Sequence, residues 1–186
     1  MKIINNYFNN AVKVIQINKF EDTRGFFSIP YNKEEFQKID IDESFYQDNF
    51  SFSKNKNTIR GIHFQNPPYE QSKLISVIKG SIFDVFVDLR SNSSTYGKSE
   101  SVILDRNDLV LYISKGFGHA FCTLIDNTLI HYKVSNRYDL KSEETIIWND
   151  IDLNILWPNF KNKITMSDKD LNGIKFNSFK SNFRIK

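Results

Sequence analysis

The 186-residue chain predicts an all-β fold of two packed sheets with short flanking helices. Three observations point that way. Apolar and polar residues alternate with period two through many short runs, turn chemistry recurs between the runs at roughly 8 to 12 residue spacing, and helical periodicity is scarce. A double-sheet jelly roll, cupin-like in outline, buries such strands while leaving few open edges. At this length one domain spanning residues 1–186 is expected, burying roughly 70% of the surface that the unfolded chain exposes.

In chain order, the first run is AVKVIQI over 11–17. A helix is expected over NKEEFQKI, 32–39, where Asn32 can cap the first turn and glutamates follow at once. Strand patterns then return as KLISVIKG over 73–80, SIFDVFVDLR over 81–90, ESVILD over 100–105, LVLYIS over 109–114, HAFCTLI over 119–125 and TLIHYKV over 128–134. In the 81–90 run Phe83, Val85, Val87 and Leu89 point one way. Ile82, Asp84, Phe86 and Asp88 point the other, so one face of that strand carries polar groups. The connections RSNSSTYG, DRND, SKGFG and IDN have the Gly, Asn, Asp and Ser content of turns. A second short helix is expected around SDKDLNG, 167–173.

Composition narrows the function classes. With 40% apolar residues, 17 Phe and 8 Tyr, a packed interior is expected and disorder is not. The single cysteine, Cys122, cannot form an internal disulfide, which suits a reducing compartment. No secretory h-region opens the chain and no run approaches about 18 apolar residues, so a cytoplasmic protein with no membrane partner is expected. Net charge is +3, with seven basic against two acidic residues from Asn159 onward. No nucleic-acid signature accompanies that charge, so a solvated ending is expected and no nucleic-acid partner.

A metal-binding jelly roll needs a close His-x-His pair with a downstream Glu and a further His. The three histidines, His63, His119 and His131, lack that spacing, so no metal is expected. No G-x-S-x-G elbow, P-loop or dinucleotide glycine pattern occurs, and Cys122 sits in an apolar run that suits an inert thiol. Acid–base chemistry remains. His63 in RGIHFQ, Lys73 in EQSKL, Tyr132 in IHYKV and Asp170 in SDKD are of suitable type. Taken singly, a lone His beside Gly and Phe is more often a satisfied strand residue, a Tyr in a strand is usually core or rim, and a C-terminal Asp usually caps a helix.

Ordered blocks run through most of the chain: FEDTRGFF (20–27), QDNFSFS (47–53), IRGIHFQNPPYEQSKL (59–74), GSIFDVFVDLRSNSSTYGK (80–98), SKGFGHAF (114–121), HYKVSNRYDLKSEETIIWND (131–150), ILWP (155–158) and SDKD (167–170). On these blocks the chain resembles the nucleotide-sugar epimerases typified by dTDP-4-dehydrorhamnose 3,5-epimerase. The resemblance implies a jelly-roll homodimer with exchanged N-terminal strands, working without metal or cofactor on a nucleoside-diphosphate 4-keto-6-deoxy sugar. It implies that His63 is the base, that Asp170 orients it, that Lys73 faces the enolate oxygen and that Tyr132 returns a proton from the opposite side. It further implies substrate contacts from Arg24, Gln47, Asn49, Arg60, His119, Glu143 and Lys169, a base-stacking ring at Tyr138, and Phe27 contributed by the second copy. An exchanged strand from 11–17 would carry Phe27 across.

Two departures bear on the outcome. Ile29 stands where the thymidine-nucleotide members usually carry glutamate, which leaves the nucleotide open between dTDP and GDP and the sugar between hexose and heptose. KDLNGIKF lacks the proline that often follows the KD pair. Epimerisation at both C3 and C5, or at one of them alone, fits the same residues. A carbohydrate-binding jelly roll without chemistry is the alternative of another class.

Overall fold

The computed structural model describes residues 1–160 and 163–185, so Lys161 and Lys186 of the basic ending lie outside the described residues. In chain order the strands are β1 (Lys2–Tyr7), β2 (Val12–Gln16), β3 (Lys19–Asp22), β4 (Gly25–Ser28), β5 (Gln47–Ser53), β6 (Ile59–Gln65), β7 (Lys73–Lys79), β8 (Ile82–Asp88), β9 (Ser99–Leu104), β10 (Leu109–Ile113), β11 (Phe117–Thr123), β12 (Thr128–Val134) and β13 (Glu143–Thr145). They form a six-stranded sheet, β1-β2-β10-β7-β12-β5, and a five-stranded sheet, β13-β6-β11-β8-β9, with β3 and β4 as a separate two-stranded ribbon. The paired strands are antiparallel. This is the expected double-sheet jelly roll.

Alternation sorts the apolar residues into three cores. Ile75, Val77, Phe86, Leu111, Phe121 and Ile130 meet between the sheets. Residues of the opposite parity, Ile62, Phe64, Val85, Val87 and Leu89, face outward from the five-stranded sheet. There they are covered by Leu153, Phe179 and Phe183 of the C-terminal segment. On the far side of the six-stranded sheet, Ile15, Leu74, Val110 and Tyr112 pack against Phe36 and Ile41. Each fully buried Ile, Leu or Phe in such a core stabilises the fold by about 1.5–3 kcal/mol.

Both expected helices are present and short. In α1 (Lys33–Gln37) the Asn32 side chain accepts the Glu35 amide, and Phe36 is the buried residue. The ammonium of Lys13 donates to the Ile39 and Asp40 carbonyls at 2.6 and 3.4 Å and ties this helix to β2. In α2 (Asp168–Leu171) Ser167 caps the first turn and Asp170 is buried.

Three features add to the sequence reading. Asp84 and Asp88 of β8 are 0% exposed, so the polar face of that strand is an interior one. Asp88 is matched there by Arg90 Nε and Nη2, each at 2.8 Å, by Ser93 Oγ at 2.6 Å and by Thr95 Oγ1 at 2.7 Å. Second, the 11–17 segment forms β2, laddered to β10 of its own chain, with Val12 and Ile15 fully buried. The β3–β4 ribbon leaves Phe20, Phe26 and Phe27 exposed. Third, β1, β3, β4, β5, β6 and β13 arise from segments absent from the alternating runs. Among the described residues no helix is long and apolar enough to cross a membrane.

Candidate active site

The site begins with one extra residue in β6. His63 pairs with His119 and Arg60 with Phe121, so three steps along β6 match two along β11. Such a bulge resets the alternation and turns Arg60 and His63, an odd number of residues apart, onto the same interior face. Gly61 makes it feasible: its φ is +121°, and a Cβ there would lie 2.5 Å from the Ala120 Cβ and the His119 carbonyl oxygen.

Beside the bulge, His63 Nε2 meets Asp170 Oδ1 at 2.5 Å. Burial works against ionising Asp170, but the His63 hydrogen bond and charge, Ser167 and the Gly61 backbone N–H together hold its carboxyl below the ordinary value. An ionised carboxylate only accepts, so Nε2 carries the proton of the neutral imidazole. Nδ1 is left as the basic nitrogen. In the opposite sheet, Lys73 is 9% exposed, and burial pulls its ammonium down to about 8 against the opposing charges of Glu143 and Asp84. Tyr132 is raised by burial and by Glu143, with Arg60 acting in the other direction. Antiparallel registry of β12 with β7 and β5 sets Tyr132 opposite Ile75 and Asn49, and Val134 opposite Lys73 and Gln47.

Gln47, Asn49, His63, Lys73, Tyr132, Tyr138 and Glu143 line one cavity of about 160 Å³. Glu143 stands at its rim, accepting from Tyr138 Oη at 2.8 Å and pairing with Lys169 Nζ at 2.5 Å. Burial opposes that charge, but the two hydrogen bonds and the nearby Lys169 and His63 keep the Glu143 carboxyl below its usual value. His119 flanks His63, with Nε2 held by Asp84 Oδ1 and Oδ2 at 3.0 and 2.9 Å. Arg60 crosses to β5, reaching Ser53 Oγ at 3.4 Å and the Phe52 carbonyl at 3.2 Å.

Two expected site residues lie apart from this cavity. Arg24, whose side chain is 88% exposed, pairs with Asp22 at 2.6 Å in the turn of the ribbon, and Phe27 projects from β4. Three residues were missed. Asp84 supports His119, while Gln65 and Gln71 line the cavity and donate to the carbonyl of Arg137 in the segment leading to Tyr138. A parity signal existed for Asp84, because it shares a strand face with Ile82 and Phe86 and so had to be buried and paired. Among the described residues no group of three or more His, Cys, Asp or Glu side chains is disposed to hold a metal ion.

A carboxylate-oriented imidazole on one wall, a phenol and a buried ammonium on the other, and a cavity between two sheets are groups suited to proton transfer inside a jelly roll. The chain belongs to the dTDP-4-dehydrorhamnose 3,5-epimerase family, whose model matches residues 9–178. It is 41% identical over 167 residues to the dTDP-4-dehydrorhamnose 3,5-epimerase of Shigella flexneri, covering 89% of this chain and 91% of that protein. It is 42% identical over 161 residues to the enzyme of that name from Escherichia coli K12, covering 86% of each. The structure superposes with a TM-score of 0.92 on the dTDP-6-deoxy-D-glucose-3,5-epimerase of Legionella pneumophila in complex with dTDP-4-keto-L-rhamnose, at 34% identity over 100% of this chain and 98% of that one. For the dTDP-4-dehydrorhamnose 3,5-epimerase of Bacillus anthracis with TDP and PPi bound, the TM-score is 0.89 at 40% identity, covering 94% and 98%.

Proposed function

We propose that the protein epimerises a nucleoside-diphosphate 4-keto-6-deoxy sugar at C3, C5 or both, through an enolate. The observation that carries this reading is that His63 and Tyr132 face one cavity from opposite sheets. Inversion needs that two-sidedness, since a proton returned by the same group to the same face restores the starting centre.

The ketone at C4 acidifies the hydrogens on C3 and C5. Nδ1 of His63 takes one of them, the C–H electron pair moves into the enolate, and negative charge develops on O4. Lys73 is the cation nearest that role, and a preorganised charge in a dry cavity is worth far more than in water. Tyr132 then gives its O–H proton to the carbon from the other face, and the carbonyl re-forms. Solvent returns the imidazolium and the tyrosinate to their starting states. A positioned imidazole contributes on the order of 10² to 10⁴ in rate. The carbonyl serves as the electron sink, so these side chains cover both proton transfers without a cofactor.

The relatives are named for dTDP sugars, which favours dTDP here, and Lys169, Arg60, His119 and the exposed Tyr138 are suited to the diphosphate and base. A homodimer supports the same site. The ribbon carries exposed Phe20, Phe26 and Phe27, while β5 ends its sheet with Phe50 and Phe52 exposed. Addition of one copy's ribbon beside the other's β5 would cover both apolar surfaces and bring Phe27 and Arg24 toward Gln47 and Asn49. A cytoplasmic setting matches the buried, unpaired Cys122.

The test is incubation in D₂O with dTDP- and GDP-linked 4-keto-6-deoxy sugars, counting deuterium at C3 and C5. Uptake at both carbons of the dTDP sugar is expected. Uptake at one carbon defines a monoepimerase, preference for the GDP sugar assigns the nucleotide to Ile29, and no uptake by any sugar removes the reading.

A further inference from the structure

Lys73 is placed in the cavity with little support of its own. A buried ammonium has three protons to satisfy, and among the described residues Nζ reaches one hydrogen-bond acceptor, Gln71 Oε1 at 3.5 Å. That acceptor is itself fixed. Gln71 Nε2 donates to the Asn136 carbonyl at 2.9 Å and to the Arg137 carbonyl at 3.4 Å. Carbonyls only accept, so the NH₂ end must face the 136–137 segment and the oxygen end must face the lysine. The adjacent residue repeats the anchorage, Ser72 N–H donating to Ser135 Oγ at 2.8 Å.

We infer that Gln71 is a positioning residue: its amide, locked by the 136–137 carbonyls, holds the Lys73 ammonium toward the cavity and links it to the segment that carries Tyr138. The role of Lys73 in stabilising an enolate rests on the function proposed above; the hold of Gln71 on the ammonium does not. A neutral acceptor suits the task. A carboxylate at this position would fix the cation more tightly and keep it charged to higher pH, but would also neutralise the field that the developing O4 charge needs. An aliphatic residue would leave the ammonium without an acceptor in a buried site, favouring its neutral form.

The experiment titrates the lysine Cε and Nζ resonances of the full chain by NMR, the Lys73 signal being assigned by its loss in Lys73→Met. Wild type, Gln71→Leu and Gln71→Glu are compared, with Gln71→Met as a second neutral replacement should the leucine variant not fold. The Lys73 midpoint is expected to fall by about one pH unit in Gln71→Leu and to rise by at least about one in Gln71→Glu, as loss of a charge-assisted bond or gain of a charge predicts. Steady-state kinetics should show kcat reduced about tenfold in Gln71→Leu with the basic limb of kcat/KM shifted the same way. A Lys73 midpoint unchanged in the neutral replacement, Gln71→Leu or Gln71→Met, overturns the inference whatever Gln71→Glu does. The titration needs no substrate, so an inactive wild type would remove the proposed reaction while leaving this result readable.

Discussion

His63 and Asp170 stand 107 positions apart in the chain and meet through a 2.5 Å contact between Nε2 and Oδ1. The contact assigns the imidazole its tautomer and leaves Nδ1 as the nitrogen with a free lone pair, the base in the proposed reaction. Asp170→Asn keeps the shape but offers an amide where the ring needs a pure acceptor. The variant is expected to lose about 10² to 10⁴ in kcat with KM changed little, read from initial rates on the keto sugar. Wild-type kcat in this variant would show that the carboxylate is dispensable.

Lys73 should trade stability for activity. Its folded value of about 8 lies below the ordinary lysine value, so between the two the unfolded chain binds more protons than the folded one. Stability contributed by this group therefore rises as pH climbs from about 8 toward about 10.4. Lys73→Met removes a buried charge without cutting the chain's packing. It is expected to raise the urea midpoint at pH 7 while lowering kcat by at least about a hundredfold. An unchanged or lower midpoint would refute the trade.

Asp88 supplies the opposite sign. Burial raises its pKa, but Arg90, Ser93 and Thr95 outweigh that and hold it below the ordinary value. Its stabilisation is present above about pH 4 and is lost as pH falls through the folded value. Asp88→Ala, which strands Arg90, is expected to cost about 3–5 kcal/mol at pH 7. The penalty should shrink toward pH 3, measured by urea denaturation at both pH values; a penalty independent of pH would contradict this account.

The ribbon and the β5 edge make a prediction about mass. Light scattering is expected to give a dimer for the wild type and a monomer for Phe50→Asp with Phe52→Asp, since a charge on each exposed ring position opposes burial of the edge. The double variant should also lose sugar-nucleotide affinity, because Arg24 and Phe27 would no longer reach a cavity. A dimer that survives both charges would move the interface elsewhere.

Legibility followed regularity. The alternating runs became β2 and β7 to β12 because period two is a strong signal when both faces of a strand are committed. β6 escaped that signal because its bulge breaks the alternation at Gly61, and β5 escaped it because QDNFSFS is polar along the face that meets the cavity. Residue types marked His63, Lys73, Tyr132 and Asp170 as able to do acid–base work, yet only the resemblance joined them. Local patterns do not encode a contact between β6 and a helix 107 residues later. Gln71 was invisible for a similar reason: its significance lies in which end of the amide faces which neighbour, and composition is silent on that.

The bulge at Gly61 gives β6 something like a reading frame. Flattening the bulge with all seven residues of the strand kept in the ladder would shift every later position by one phase, sending Ile62 and Phe64 toward the cavity and His63 and Gln65 into the apolar layer under the C-terminal segment. Loss of the bulge without loss of a residue is therefore a frameshift in space, in which the inside and outside of this cavity wall trade places, whereas deleting Gly61 itself would restore plain alternation and keep Arg60 and His63 on one face.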